Sequence, residues 1–133
     1  MRYEFDAPLR AEQIAELREL VGWDRREEQY ARLAGHTYFT LACLDGERLV
    51  AYLDVLSDGV EDAFIRDLMV RREYQRRGIG TRLLKMAQER IRAAGIRSVG
   101  VIFEPELAPF YRQAGFQVVA GGVMDNEASI GSR

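Results

Sequence analysis

The chain has 133 residues, 47% apolar and 30% charged, and 19 Lys and Arg against 21 Asp and Glu give a formal charge of −2. That is the size and composition of one compact globular domain with a real core, and interspersed charges with 10% aromatic residues exclude a disordered chain. Near-zero charge argues against nucleic acid as a partner, because binding a phosphate backbone leaves a basic surplus.

The lone cysteine, Cys43, excludes an intramolecular disulfide and any CxxC pair, and it is expected as a small buried hydrophobe in a reducing compartment. With a single histidine, His36, no His-rich metal site and no Ser-His-Asp triad is expected. No window approaches the roughly 20 apolar residues of a membrane span, and the first residues lack the apolar run of a signal peptide. The reading is therefore a cytoplasmic protein with no membrane partner. Without repeats or a Pro/Ser-rich linker, residues 1–133 are taken as one domain, with a core at about 3–125 and a flexible tail at 126–133.

In chain order, residues 2 to 6 read as a short strand, and Ile14, Leu17, Leu20 and Val21 recur at helix spacing until Gly22. A second, shorter helix is expected over residues 24 to 34. Two strands follow, HTYFTLACL and RLVAYLDVL, joined through Asp45-Gly46, which supplies the positive φ of a tight hairpin. Ser57-Asp58-Gly59 turns into a third strand, DAFIRDLMV. From Gly78 to Ala94 the period changes to that of a helix, with Ile79, Leu83, Leu84, Ala87 and Ile91 on one stripe and Gly95 ending it. IRSVGVIF reads as a buried strand and residues from about 106 to 114 as a helix, with Pro109 required in its first turn. FQVV is expected to return as a strand, with at most a brief one at Val123-Met124.

Chemistry concentrates in LMVRREYQRRGIGTRLL, residues 68 to 84, where a strand runs through Gln75-Arg76-Arg77-Gly78-Ile79-Gly80 into the long helix. Glycines at 78 and 80 let successive backbone N–H groups converge on one concavity in front of a helix N-terminus, which suits an anion. Arg71, Arg72, Arg76, Arg77 and Arg82 crowd the same turn, which points to a polyphosphate ligand. No GKS or GKT follows, so it is not a P-loop, and no third small residue makes it a dinucleotide GxGxxG. After the next strand comes FYRQAGF, in which Phe110 and Phe116 read as core and Tyr111 as either an amphipathic core aromatic or a proton donor.

The turn Gln75 to Gly80 resembles the Gln/Arg-x-x-Gly-x-Gly/Ala signature of the GCN5-related N-acetyltransferases (GNAT), and FYRQAGF resembles their closing helix. The likeness extends from about Leu9 to Val119. It implies an α/β (α+β) fold with a mixed, mostly antiparallel central sheet, helices on both faces and strand splay at the cofactor site. It further implies acetyl-CoA as cosubstrate, with no metal, along backbone groups of Leu68, Met69 and Val70 and on the turn Gln75, Arg76, Arg77, Gly78, Ile79, Gly80 and Thr81. Tyr111 falls on the family's general acid. Where the family often has asparagine at the strand end this chain has Glu104, read either as a group that contacts or deprotonates a cationic amine or as a solvated turn residue. Asp67, alternating with Leu68 on its strand, is a competing base. Trp23 and Tyr30 fall in the region that lines the acceptor pocket in related folds, with Glu27 and Glu28 between them, but they are read as helix-packing aromatics and a solvated acidic pair, so no acceptor residue is assigned. The implied reaction moves acetyl to a primary amine of a small molecule or peptide. The alternatives are a CoA-binding regulatory module without catalysis and a purely structural domain. An exposed edge at the hairpin or C-terminal strand would be covered economically by a homodimer.

Overall fold

A computed structural model describes residues 1–127. These fall into two compact units, Met1–Val101 and a second that begins at Ile102. The first is a five-stranded sheet with three helices. The strands are β1 (Arg2–Phe5), β2 (Phe39–Asp45), β3 (Arg48–Ser57), β4 (Asp62–Val70) and β5 (Ser98–Val101), and they lie side by side in sequence order. All neighbours are antiparallel except β4 and β5, which run parallel. The connection between β4 and β5 is therefore a long crossover, as a parallel pair requires. It contains α3 (Ile79–Ala93).

Strand alternation divides the core. Ala42, Leu44, Tyr52 and Met69 meet Ile14 and Leu17 of α1 (Ala11–Leu20) and Tyr30 of α2 (Glu27–Leu33) on one face. On the other face α3 buries Ile79, Leu83, Leu84, Ala87 and Ile91, and Arg82 and Arg90 lie over the rings of Tyr3 and Phe5. Helices thus cover both faces, as the sequence implied. Cys43 is fully buried in β2. Among the described residues no helix is long and apolar enough to cross a membrane.

Pairing of β4 with β5 stops at Ile65↔Val101. From Arg66 to Val70 the outer edge of β4 has no ladder partner among the described residues, which leaves backbone groups there open to a ligand, apart from the Val70 carbonyl that accepts from the Gln75 side chain.

In the second unit, α4 (Ala108–Gln113) follows a 3-10 turn at Pro105–Leu107, with Pro109 in its first turn. The expected strand at FQVV does not form, nor does one at Val123-Met124. β-Branched composition supplies propensity but not a partner: residues 116–119 pair with no strand among the described residues, and Val118 and Val119 stay exposed. The tail expected at 126–133 lies, from residue 128 on, outside the described residues.

Candidate active site

The β4–α3 junction takes its shape from two left-handed residues. After β4 the chain makes a 3-10 turn at Arg72–Tyr74, and then Arg76 (φ 65°) and Gly78 (φ 78°) reverse it into α3. Glycine adopts this conformation freely, whereas Arg76 gives up about 1–2 kcal/mol. Neighbouring contacts hold the turn: the Gln75 side-chain amide donates to the Val70 carbonyl at 2.9 Å, Arg77 lies over the Tyr74 ring, and the Tyr74 hydroxyl donates to Asp45 at 2.7 Å.

α3 begins on Gly78 with no side-chain cap and no acidic residue in its first turn, whereas α1 carries Glu12 there and α2 carries Glu27 and Glu28. The first-turn amides of Ile79, Gly80 and Thr81 have no intrahelical acceptor by geometry, so they and the helix dipole favour an anion. The five arginines divide by role. Arg71 donates to the Leu49 carbonyl at 3.0 Å and pairs with Glu16, Arg77 stacks on Tyr74 and Arg82 on Tyr3. Arg72 and Arg76 are exposed and make no side-chain hydrogen bond or ion pair among the described residues. Two of the five are thus wholly uncommitted cations.

A second constellation lies on the α1/α2 face at the middle of β4. Register passes from Tyr52↔Met69 to Asp54↔Arg66, so Asp67 and Leu68 together oppose Leu53, and Asp67 is left-handed at φ 55°. This is a β-bulge, and it corrects the expectation that residues 66 to 68 simply alternate. Arg66 and Asp67, adjacent in sequence, both reach into one polar cluster.

Asp54 is fully buried. It accepts from Arg66 Nε at 2.6 Å, Arg66 Nη2 at 3.1 Å and the Tyr52 hydroxyl at 2.7 Å, so both its oxygens are occupied. Beside it the Tyr30 hydroxyl donates to Asp67 Oδ2. Arg18 Nη1 and Arg66 Nη2 approach that same oxygen at 3.5 and 3.4 Å. Arg18 is fixed in turn by the backbone carbonyl of Asp24 at 2.6 Å, by its carboxylate at 2.8 Å and by the Trp23 ring, 5.0 Å away. Burial, and then the neighbouring Asp67, push the Tyr30 phenol well above its ordinary value, and burial with Asp54 does the same to Tyr52. Both phenols therefore remain donors at neutral pH. Burial disfavours the charge on Arg66, but its bonds to Asp54 and the nearby Asp67 outweigh that and raise its basicity. On the same face a cavity of about 430 Å³ is lined by Ala7, Leu33, Thr37 and Thr40 and by Tyr30 and Tyr52.

In the second unit, Tyr111 on α4 is buried among aromatic rings: Phe103 stacks on it at 4.4 Å, and Phe110 and Phe116 meet it edge-on at 5.0 and 5.8 Å. Burial raises its pKa, and its hydroxyl has no hydrogen-bond partner among the described residues. Glu104 precedes the 3-10 turn, exposed and without a side-chain cap bond.

The sequence model described as Acetyltransferase (GNAT) family matches residues 5–116. The chain belongs to the GNAT acetyltransferase family. Among solved structures, a GNAT-family acetyltransferase from Streptococcus pneumoniae TIGR4 superposes with a TM-score of 0.78 at 26% identity, covering 96% of this chain and 98% of that one. Among curated proteins, an uncharacterised N-acetyltransferase of Gracilaria tenuistipitata var. liui is 25% identical over 124 residues, 90% of this chain and 68% of that protein. A chloroplastic serotonin N-acetyltransferase 2 of Oryza sativa subsp. japonica is 30% identical over 101 residues, 72% of this chain and 50% of its own length. The chain thus spans between half and about two thirds of these curated relatives.

The structure gathers the family's motif residues 75–81 and the open edge of β4 into one junction, and places Asp67 on the bulge a few residues upstream. Met69, named for its backbone groups, turns its side chain into the core. Sequence reasoning missed Arg18, Tyr52, Asp54 and Arg66. The available signal was two charged residues, Arg66 and Asp67, inside an otherwise apolar strand, with a third, Asp54, in the strand before it.

Proposed function

We infer that this chain is an N-acetyltransferase that uses acetyl-CoA to acetylate a primary amine. The observation that carries this reading is the β4–α3 junction: an open strand edge running into uncapped, acid-free helix amides beside Arg72 and Arg76. That donor set fits a pantetheine diphosphate. The backbone of Leu68–Val70 would align the pantetheine arm, and amides from Arg76 to Thr81 would hold the phosphates, each bond to charged oxygen contributing about 1.5–3 kcal/mol. A family match running from residue 5 to residue 116 supports reading both units as one acetyltransferase domain.

The bound thioester supplies an acetyl carbonyl open to attack. Two residues of this chain would move the protons. The Oδ1 oxygen of Asp67 takes one proton from the ammonium of the acceptor, directly or through water; the freed amine then attacks the carbonyl, and its second proton leaves to water as the tetrahedral intermediate collapses. In the role the family resemblance gives it, the Tyr111 hydroxyl would pass its proton to sulfur as the C–S bond breaks and regain one from water. The buried phenol suits this role because it stays protonated at neutral pH. Glu104, exposed and without a side-chain partner among the described residues, would be free to contact a cationic acceptor. Asp54 takes no part, since both its oxygens are engaged.

The test is free-thiol release from acetyl-CoA with a panel of primary amines: arylalkylamines including serotonin, polyamines and short peptides. Release that depends on one class of amine, with the N-acetyl product identified by mass, is the expected result. Stabilisation by acetyl-CoA without thiol release from any amine would instead support a CoA-binding module.

A further inference from the structure

The cluster around Asp67 is lopsided. The Tyr30 hydroxyl, Arg18 Nη1 and Arg66 Nη2 all converge on Oδ2, from α2, α1 and β4 respectively. Oδ1 has no hydrogen bond or ion pair among the described residues, and the side chain is 20% exposed. A carboxylate on a left-handed bulge residue has rotational freedom of its own, and donors confined to one oxygen remove it while leaving the other oxygen's lone pairs unused.

The chain assembles this grip from distant segments. Arg18 Nη1 donates to the Tyr30 oxygen at 3.2 Å, and the Tyr30 hydroxyl donates in turn to Asp67, so the three form a directed chain of hydrogen bonds. The other nitrogens of Arg18 are spent on Asp24 at the α1–α2 connection. The Tyr30 ring is set edge-on against Tyr52 at 6.2 Å, which fixes the direction of its hydroxyl. Helix packing alone would explain the ring of Tyr30. It does not explain a hydroxyl aimed at one oxygen of a half-buried carboxylate.

We propose that Tyr30, backed by Arg18, is a positioning residue that clamps Oδ2 of Asp67 and so presents Oδ1 to the ammonium of the acceptor. The proposal rests on the acetyltransferase reading and on the role given there to Asp67. It extends the site to the α1–α2 segment, whose Arg18 and Tyr30 act through Asp67 without touching the amine.

A double-mutant cycle on the full chain tests it, with acetyl-CoA and whichever amine of the panel turns over fastest. Asp67→Asn should lower kcat/KM for the amine about a hundredfold. Tyr30→Phe, which keeps the ring and its contact with Tyr52, should lower it about tenfold with KM for acetyl-CoA unchanged. In the Asp67→Asn background the same change should alter it less than about twofold, because the group it positions is gone. Equal losses in both backgrounds, or no loss from Tyr30→Phe, would overturn the positioning role while leaving acetyl transfer intact. No loss from Asp67→Asn would remove Asp67 from the reaction, and the clamp's function with it. A crystal structure of Tyr30→Phe gives a readout independent of turnover: Asp67 should leave its single rotamer, and an unmoved, well-ordered carboxylate would contradict the clamp.

Discussion

The β4–α3 junction and the β4 bulge belong to one strand and solve opposite problems. At the junction, cations and amides are left without partners: α3 has no cap, and Arg72 and Arg76 stand in solvent. At the bulge almost everything is paired, down to a fully buried carboxylate with three donors. An unsatisfied donor set is a place for a ligand, whereas a satisfied one is a means of holding a neighbouring group still. Asp67 Oδ1, without a partner among the described residues, is where holding passes into chemistry. Substitutions at the bulge should therefore act first on stability, and substitutions at the junction first on cofactor affinity.

The largest effect is expected from Asp54→Ala. Removing the carboxylate takes both short bonds from Arg66, leaving it the longer contact with Asp67, and strands the Tyr52 hydroxyl in the interior; breaking a buried ion pair costs about 3–5 kcal/mol. Urea denaturation should show the loss as a lower midpoint at unchanged slope. A fall below about 1 kcal/mol would mean that the cluster is wetter than its geometry indicates.

The second prediction uses pH. Tyr30 and Tyr52 have folded pKa values raised above the ordinary tyrosine value, so the folded state keeps protons that the unfolded chain loses near pH 10. Their contribution is fully present below pH 10 and declines as pH rises toward the folded values, by about 1.4 kcal/mol per pH unit for each phenol. Denaturation at pH 9, 10 and 11 should show this slope, and Tyr52→Phe should flatten it. An identical slope in that variant would place the titration elsewhere.

At the junction, Gly78→Ala should cost about 1–2 kcal/mol, because the position is left-handed at φ 78° although a Cβ would meet nothing within 4 Å. The penalty is purely conformational, so it should be accompanied by a smaller acetyl-CoA shift in melting temperature. Loss of stability with an unchanged ligand shift would separate this glycine from phosphate binding. The smallest stability effect belongs to Arg76→Ala, within about 0.5 kcal/mol. Acetyl-CoA should nevertheless bind it several-fold more weakly, and the difference should shrink at high salt.

The same contrast governs what could be read from the sequence. The junction was legible because its features are local: Gly78 and Gly80, the flanking arginines and the apolar stripe from Ile79 to Ile91 lie within one short run. The hairpin and the limits of DAFIRDLMV were legible for the same reason, through Asp45-Gly46 and Ser57-Asp58-Gly59. The bulge was not, because nothing in Arg66-Asp67-Leu68 announces that register slips there. Its partners arrive from α1, α2 and β3, at separations only folding closes. The contacts of the arginine cluster were not legible either, since Arg71, Arg77 and Arg82 take partners that no local pattern announces. FQVV was over-read, as propensity without a neighbouring strand.

The most direct test of the acetyl-CoA reading is a crystal structure of the full chain with CoA. It should show the diphosphate within hydrogen-bond distance of amides between Arg76 and Thr81 and the pantetheine arm along the open edge of β4 at Leu68–Val70. A diphosphate seated elsewhere, with the α3 amides unengaged, would contradict it.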